Sequence, residues 1–174
     1  DIIQSARIKY NTESPKLRDM ILASTDLMGS VVTKVAPIAN FALGLQPTKV
    51  VMDAVLKVDK HRTFPKYTSK TFESWFKKNV MPFQDTFKRH VSFFHGCYVN
   101  YNYPQLGKDL VSVMNALGYG VHLLDKEKCC GTALIANCMI DKAKKNAVHN
   151  IESIRKSVYE RQMPVIGASS SCNF

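Results

Sequence analysis

Residues 91–174 predict an α/β fold, a parallel β-α-β-α-β sheet of three or more strands, and a small helical region precedes it. Three observations carry this. Val91-Ser92-Phe93-Phe94, Val121-His122-Leu123-Leu124 and Pro164-Val165-Ile166-Gly167-Ala168 are short apolar, β-branched and aromatic runs of strand length. The stretches between them are long enough for the crossovers that parallel pairing needs, which are right-handed as a rule. Four of the five cysteines, Cys97, Cys129, Cys130 and Cys172, fall just beyond the carboxyl end of one of these runs.

Residues 1–58 read as helical. Leu17, Met20, Ile21, Leu27 and Met28 recur at near-helical spacing, as do Val50, Val51, Ala54, Val55 and Val58. Pro15, Gly29, Pro37, Gly44 and Pro47 are expected to break the region into three or four short helices. No residue here has an evident chemical task, so the region reads as a collar or docking element.

Residues 59–90 read as a basic, aromatic connector. The net charge of the chain is +10, and residues 60–90 carry eight Lys/Arg against two Asp/Glu. Phe64, Tyr67, Phe72, Trp75, Phe76, Phe83 and Phe87 share the stretch with Pro65 and Pro82. Such a segment suits anionic lipid headgroups or an acidic partner subunit; the plainer reading is a linker whose aromatics pack on what it joins. Nucleic acid is not an expected partner, because no recognition-helix, RNP or zinc-finger pattern accompanies the charge.

Residues 91–174 form the sheet. After the first strand a loop runs through Gly96-Cys97. A helix from Pro104 carries Leu106, Leu110, Val113, Met114 and Leu117, and Gly118 supplies its stop. After the second strand come Cys129-Cys130-Gly131, then one long helix from about Thr132 with Ile135, Met139, Ile140, Ala143, Ala147, Ile151 and Ile154 inside. Cys138 would sit within that helix as a buried core thiol.

Open α/β sheets build their sites in the loops at the carboxyl edge, so topology alone delivers Cys97, Cys129, Cys130 and Cys172 to one rim. Adjacent cysteines are poor disulfide partners for each other. An odd cysteine count, and a start carrying Arg7 and Lys9 with no apolar run behind them, argue for a reducing compartment. Four thiolates suit zinc or an iron–sulfur cluster. Adjacent Cys129 and Cys130 cannot easily take two corners of one small tetrahedron, which favours a cluster, whose irons they can reach separately. A helix opening behind Gly131, with Lys126 and Lys128, would favour thiolate charge. Nucleophilic thiol chemistry on a substrate disulfide is the rival of another class, and an interaction module with idle cysteines is a third. No GxGxxG or P-loop occurs, so nothing supports nucleotide or flavin binding within the chain. The longest nearly apolar run, Val35 to Leu45, is too short to span a bilayer. Asp1 is no initiator methionine and the chain stops two residues after Cys172, so it reads as a piece of a longer protein.

The run His95-Gly96-Cys97, Asn100 to Leu110, Lys126-Glu127-Lys128-Cys129-Cys130-Gly131 and Ser169-Ser170-Ser171-Cys172 resembles the CCG (cysteine-rich) domain family. That family includes a subunit of heterodisulfide reductase and the iron–sulfur subunits of anaerobic, quinone-linked glycerol-3-phosphate dehydrogenases. Its pattern is a cysteine, about thirty residues, Cys-Cys-Gly, then Cys-x-x-Cys, normally twice per chain, so residues 91–174 would be the first copy. The resemblance implies an electron-transfer subunit holding an iron–sulfur cluster of 4Fe-4S type, non-cubane in heterodisulfide reductase. Cys97, Cys129, Cys130 and Cys172 match four ligand positions, and Ser169 stands where the family has a fifth cysteine. It also implies a flavin-bearing catalytic subunit and a second dehydrogenase subunit as partners, with electrons delivered to the quinone pool. The place implied is cytoplasmic, peripheral on the inner face of the bacterial cell membrane. The alternative within the resemblance is a heterodisulfide-type reductase module using the vicinal cysteines. His95 could tune a cluster or pack its loop, His122 reads as structural, and Tyr98, Tyr101 and Tyr103 could shield a cluster or cover the sheet edge.

Overall fold

In the computed structural model, residues 2, 5, 6, 9, 17–169 and 172 are described. From residue 17 four helices follow one another: α1 (Leu17–Ala23), α2 (Thr25–Lys34), α3 (Ala36–Gly44) and α4 (Gln46–Leu56). The expected division falls at Pro37, Gly44 and Pro47, each proline standing in the first turn of the helix after a break, where no intrahelical N–H bond is lost. The expected break at Gly29 is corrected: Gly29 lies inside α2, and a Cβ there would fall 2.2 Å from the Tyr101 ring. This glycine serves close packing.

Residues 59–90 join the core. α5 (Phe72–Asn79) is capped by Thr71, whose hydroxyl accepts from the Ser74 amide. Phe72 and Phe76 are fully buried with Val91, Phe93, Val99, Val111 and Val121, while all eight Lys/Arg of residues 60–90 stay exposed. The three aromatics of amphipathic α5, Phe72, Trp75 and Phe76, all pack in or against the core, whereas Phe83 beyond the helix is exposed. A 3-10 segment, Met81–Thr86, follows. Its buried Gln84 accepts from the Val121 amide at 2.8 Å and so satisfies a backbone group on an edge strand. Asn40 exchanges two hydrogen bonds with the Tyr67 backbone and ties α3 to this segment.

The sheet comprises β1 (Arg89–Phe94), β2 (Tyr119–Leu123) and β3 (Val165–Gly167), all parallel, in the order β2-β1-β3. β1 is central, and its last four residues are buried without alternation, as a doubly covered parallel strand requires. Between β1 and β2 lie α6 (Gly96–Tyr101), expected only as loop, and α7 (Pro104–Ala116). Gly118 ends α7 at φ +81°, as expected.

The single long helix expected after Cys130 is two: α8 (Thr132–Ala136) and α9 (Ile140–Arg155), with a π turn at Lys156–Glu160. Cys138 lies between them, half-buried, at φ +59°. Its amide donates to the Ile135 carbonyl at 2.9 Å and that of Met139 to the Leu134 carbonyl at 2.9 Å. This is the Schellman closure with cysteine in the left-handed position where glycine is usual. Its hydrophobic contact is Leu134 with Met139, buried with Ala23 and Ala143. The packing of α1 there, absent from any local signal, selects the break.

Candidate metal centre

The strand order reverses at β1, and the loops after all three strands meet at the carboxyl edge beside it. Cys97 follows β1 in the first turn of α6; Cys129 and Cys130 follow β2; Cys172 follows β3. The Cys97 and Cys129 sulfurs lie 3.7 Å apart. Cys130 is in hydrogen-bonding contact with both Cys129 and Cys172, and the Cys172 sulfur lies 3.5 Å from where a Gly96 Cβ would stand. Four sulfurs from three loops thus form one continuous group. Cys138 lies apart from it. Ser169 turns onto Cys172, its carbonyl accepting the Cys172 amide at 3.1 Å and its hydroxyl reaching the sulfur. Ser170 and Ser171 lie outside the described residues.

Gly96 and Gly131 hold left-handed conformations, φ +71° and +94°, that let the chain turn sharply at each cysteine loop. The Cys-Cys loop is held by one polar face of α9. Asn150 exchanges two hydrogen bonds with the Lys128 backbone, 2.9 Å each way. Asn146 donates to the Cys129 carbonyl, His149 bonds the Lys126 carbonyl, and Ser153 donates to the Asp125 carbonyl. Residues 146, 149, 150 and 153 share that face because i, i+3, i+4 and i+7 do.

On the other side, Glu127 is buried and accepts the backbone amides of both His95 and Gly96, fastening the β2 loop to the Cys97 turn. Burial pushes its carboxyl up to about 8, against the pull of those two amides. Burial lowers the pKa of His95, whose ring stacks edge-on to Phe72 and Phe93.

The helical region reaches the centre, correcting the expectation that it has no chemical task. The Thr25 hydroxyl donates to the Cys129 sulfur at 3.2 Å and also reaches Cys97. The Asp26 carboxylate accepts the Cys129 amide at 2.8 Å. Thr132, opening α8, offers amide and hydroxyl to Cys130. The protons sort accordingly. Hydrogen bonds among the sulfurs hold Cys130 and Cys97 below the usual thiol range and push Cys129 and Cys172 above it. Cys130 and Cys97 are therefore the sulfurs that ionise first.

Sequence reasoning missed Thr25, Asp26, Asn146 and Asn150, and treated Glu127 only as part of a charged run. The polar stripe of α9 was readable from its spacing. Nothing local marks Asp26, whose partner is 103 residues away. His122 pairs with His90, 3.0 Å between ring nitrogens, away from the cysteines. Tyr98 and Tyr103 stack loosely at the surface, half-exposed.

A metal-binding fit is testable on the donor set. Two thiolates on one tetrahedral metal, about 2.3 Å from it, stand about 3.8 Å apart, which the 3.7 Å between Cys97 and Cys129 matches.

Comparison with known proteins agrees. The family model described as the cysteine-rich domain (CCG) matches residues 91–174. The whole chain is 56% identical, over 174 residues, to the C subunit of anaerobic glycerol-3-phosphate dehydrogenase from Escherichia coli (strain K12), covering 44% of that protein. Lactate utilization protein A 1 of Bacillus mycoides is 33% identical over 82 residues, 47% of this chain and 31% of that one. An uncharacterized iron-sulfur protein of Methanococcus maripaludis is 32% identical over 69 residues, 40% of this chain and 14% of that one. The chain thus spans less than half the length of these curated relatives. No solved structure matched it. The stretch matched by the cysteine-rich domain model is the one whose strand loops group the sulfurs, within a chain similar throughout to the C subunit of anaerobic glycerol-3-phosphate dehydrogenase.

Proposed function

We propose that this chain is part of the iron–sulfur subunit of a quinone-linked glycerol-3-phosphate dehydrogenase. In this reading it carries electrons from a flavin-bearing subunit toward the membrane quinone pool. The observation that carries the reading is the single group of four sulfurs drawn from all three strand loops, two of them at the spacing of ligands on one metal. Similarity along the whole chain to a subunit of the anaerobic dehydrogenase supports the choice of complex. Cys97, Cys129, Cys130 and Cys172 would hold a 4Fe-4S-type group, cubane or non-cubane, which supplies one-electron redox chemistry when bound. The chain's own part is positioning and tuning. Hydrogen bonds from Thr25 and Thr132 to sulfur, with nearby Lys126 and Lys128, favour added negative charge and so raise the reduction potential. α9 and Glu127 fix the two loops relative to each other. No described helix is long and apolar enough to cross a membrane by itself. In this reading the chain sits peripherally on the inner face of the membrane, supported by exposed Leu27, Val31, Ile38 and Phe41 and by the basic surface of residues 60–90.

The test is anaerobic purification of the full-length subunit with iron and sulfide analysis and a visible spectrum. Iron and sulfide in near-equal amounts are expected, with the share held by this site lost in Cys129→Ala and Cys130→Ala and the full content kept in Cys138→Ala. Iron-free protein whose Cys130 reacts rapidly with a disulfide reagent at neutral pH would instead establish the thiol–disulfide reading.

A further inference from the structure

We propose that Asp26, from the helical region outside the cysteine-rich match, is an oxygen ligand to the same metal that Cys97 and Cys129 hold. This rests on the iron–sulfur reading above. One ligand atom each of Asp26, Cys97 and Cys129 lie within 4.8 Å of one another, and all three residues are half-buried or buried. A carboxylate oxygen about 2.1 Å and a thiolate about 2.3 Å from one tetrahedral metal stand about 3.6 Å apart, so small side-chain adjustments bring all three onto it. The carboxylate is already aimed: the Cys129 amide donates to its Oδ2 at 2.8 Å, and an ionised carboxylate keeps further lone pairs for a metal. Thr25, the preceding residue, reaches both sulfurs, so the start of α2 is built against them. The Ser169 hydroxyl is engaged with Cys172 and, being neutral, is a weaker donor to a cation than the Asp26 carboxylate. Cys97, Cys129 and Asp26 would leave one corner of their iron for sulfide, whereas an iron of a cubane takes three sulfides and one protein ligand, so the group so held would be of the non-cubane type, with Cys130 and Cys172 on its other irons.

The test uses full-length subunit enriched in iron-57 and purified anaerobically. In the unmodified protein, Mössbauer spectra are expected to show one iron with the higher isomer shift of an oxygen-ligated site. Asp26→Asn keeps an acceptor for the Cys129 amide but loses the anionic ligand. It is expected to abolish that component and to speed iron release to a chelator by on the order of tenfold or more. Asp26→Cys, which offers a thiolate and no matching acceptor, is expected to retain iron with an all-sulfur spectrum. If Asp26 only accepts the amide bond, the pattern inverts: Asp26→Asn is silent and Asp26→Cys loses iron. That inversion, or an unmodified spectrum in which every iron is sulfur-ligated, overturns the inference while the iron–sulfur reading stands. The unmodified spectrum decides even where a variant fails to fold. Protein without iron and sulfide overturns both.

Discussion

Asn150→Ala tests the clamp that holds the Cys-Cys loop. Asn150 is buried and makes two hydrogen bonds to Lys128, both 2.9 Å. Each is worth about 0.5–1.5 kcal/mol net, together about 2 kcal/mol. The buried-unsatisfied penalty of a sealed site is not added, because Lys128 is exposed and water can reach the freed groups. Alanine returns about 0.5 kcal/mol of helix propensity at this interior position of α9. The expected net loss is about 1.5 kcal/mol, read in urea as a midpoint lowered by about 0.7 M for a slope of about 2 kcal/mol/M. His149→Ala, which removes a single bond to the Lys126 carbonyl and gains the same propensity, should lower it by about a third as much. In the iron-loaded full-length subunit the same Asn150 variant should release iron faster than the His149 variant. A midpoint that is unchanged or raised would mean propensity outweighs the clamp, and the account of how α9 holds Cys129 and Cys130 would be wrong.

Cys138→Gly should stabilise the chain by about 1 kcal/mol, since the left-handed conformation costs a non-glycine residue about 1–2 kcal/mol and glycine's extra unfolded-state entropy returns part of it; a lowered urea midpoint would show that the Schellman geometry at Asn137–Met139 is not the native one. The His90–His122 pair should make stability fall with acid. Burial, then repulsion from His90, lowers the pKa of His122, so the unfolded chain binds its proton more readily and stability is lost as pH drops below about 6.5. Glu127 works the other way, its raised pKa of about 8 favouring the native state as pH falls from about 8 toward 4.5. The measurement is therefore a difference: urea midpoints at pH 7.5 and 5.5 for wild type and His122→Gln, with the wild type losing more on acidification. Equal losses would remove His122 from the account.

The sequence by itself determined the parallel order of the sheet and the edge at which the cysteines stand. A side-chain period, crossover-length spacers and residues placed just past strand ends are local facts, and parallel topology turns them into a shared rim. It also marked Gly118 as a helix stop. What only the tertiary structure decided concerns contacts between segments distant in the chain. The break at Cys138 follows from Leu134 and Met139 packing on α1, against the local preference for glycine at that position. Gly29 reads as a breaker until the Tyr101 ring fills its space. The basic stretch reads as a connector until Phe72 and Phe76 enter the sheet's core. Thr25 and Asp26 look like an ordinary polar helix start, yet they come to lie against Cys129 across more than a hundred residues. Periodicity records which face of an element is buried but not what buries it, and the donors around these sulfurs come from the elements that do the burying.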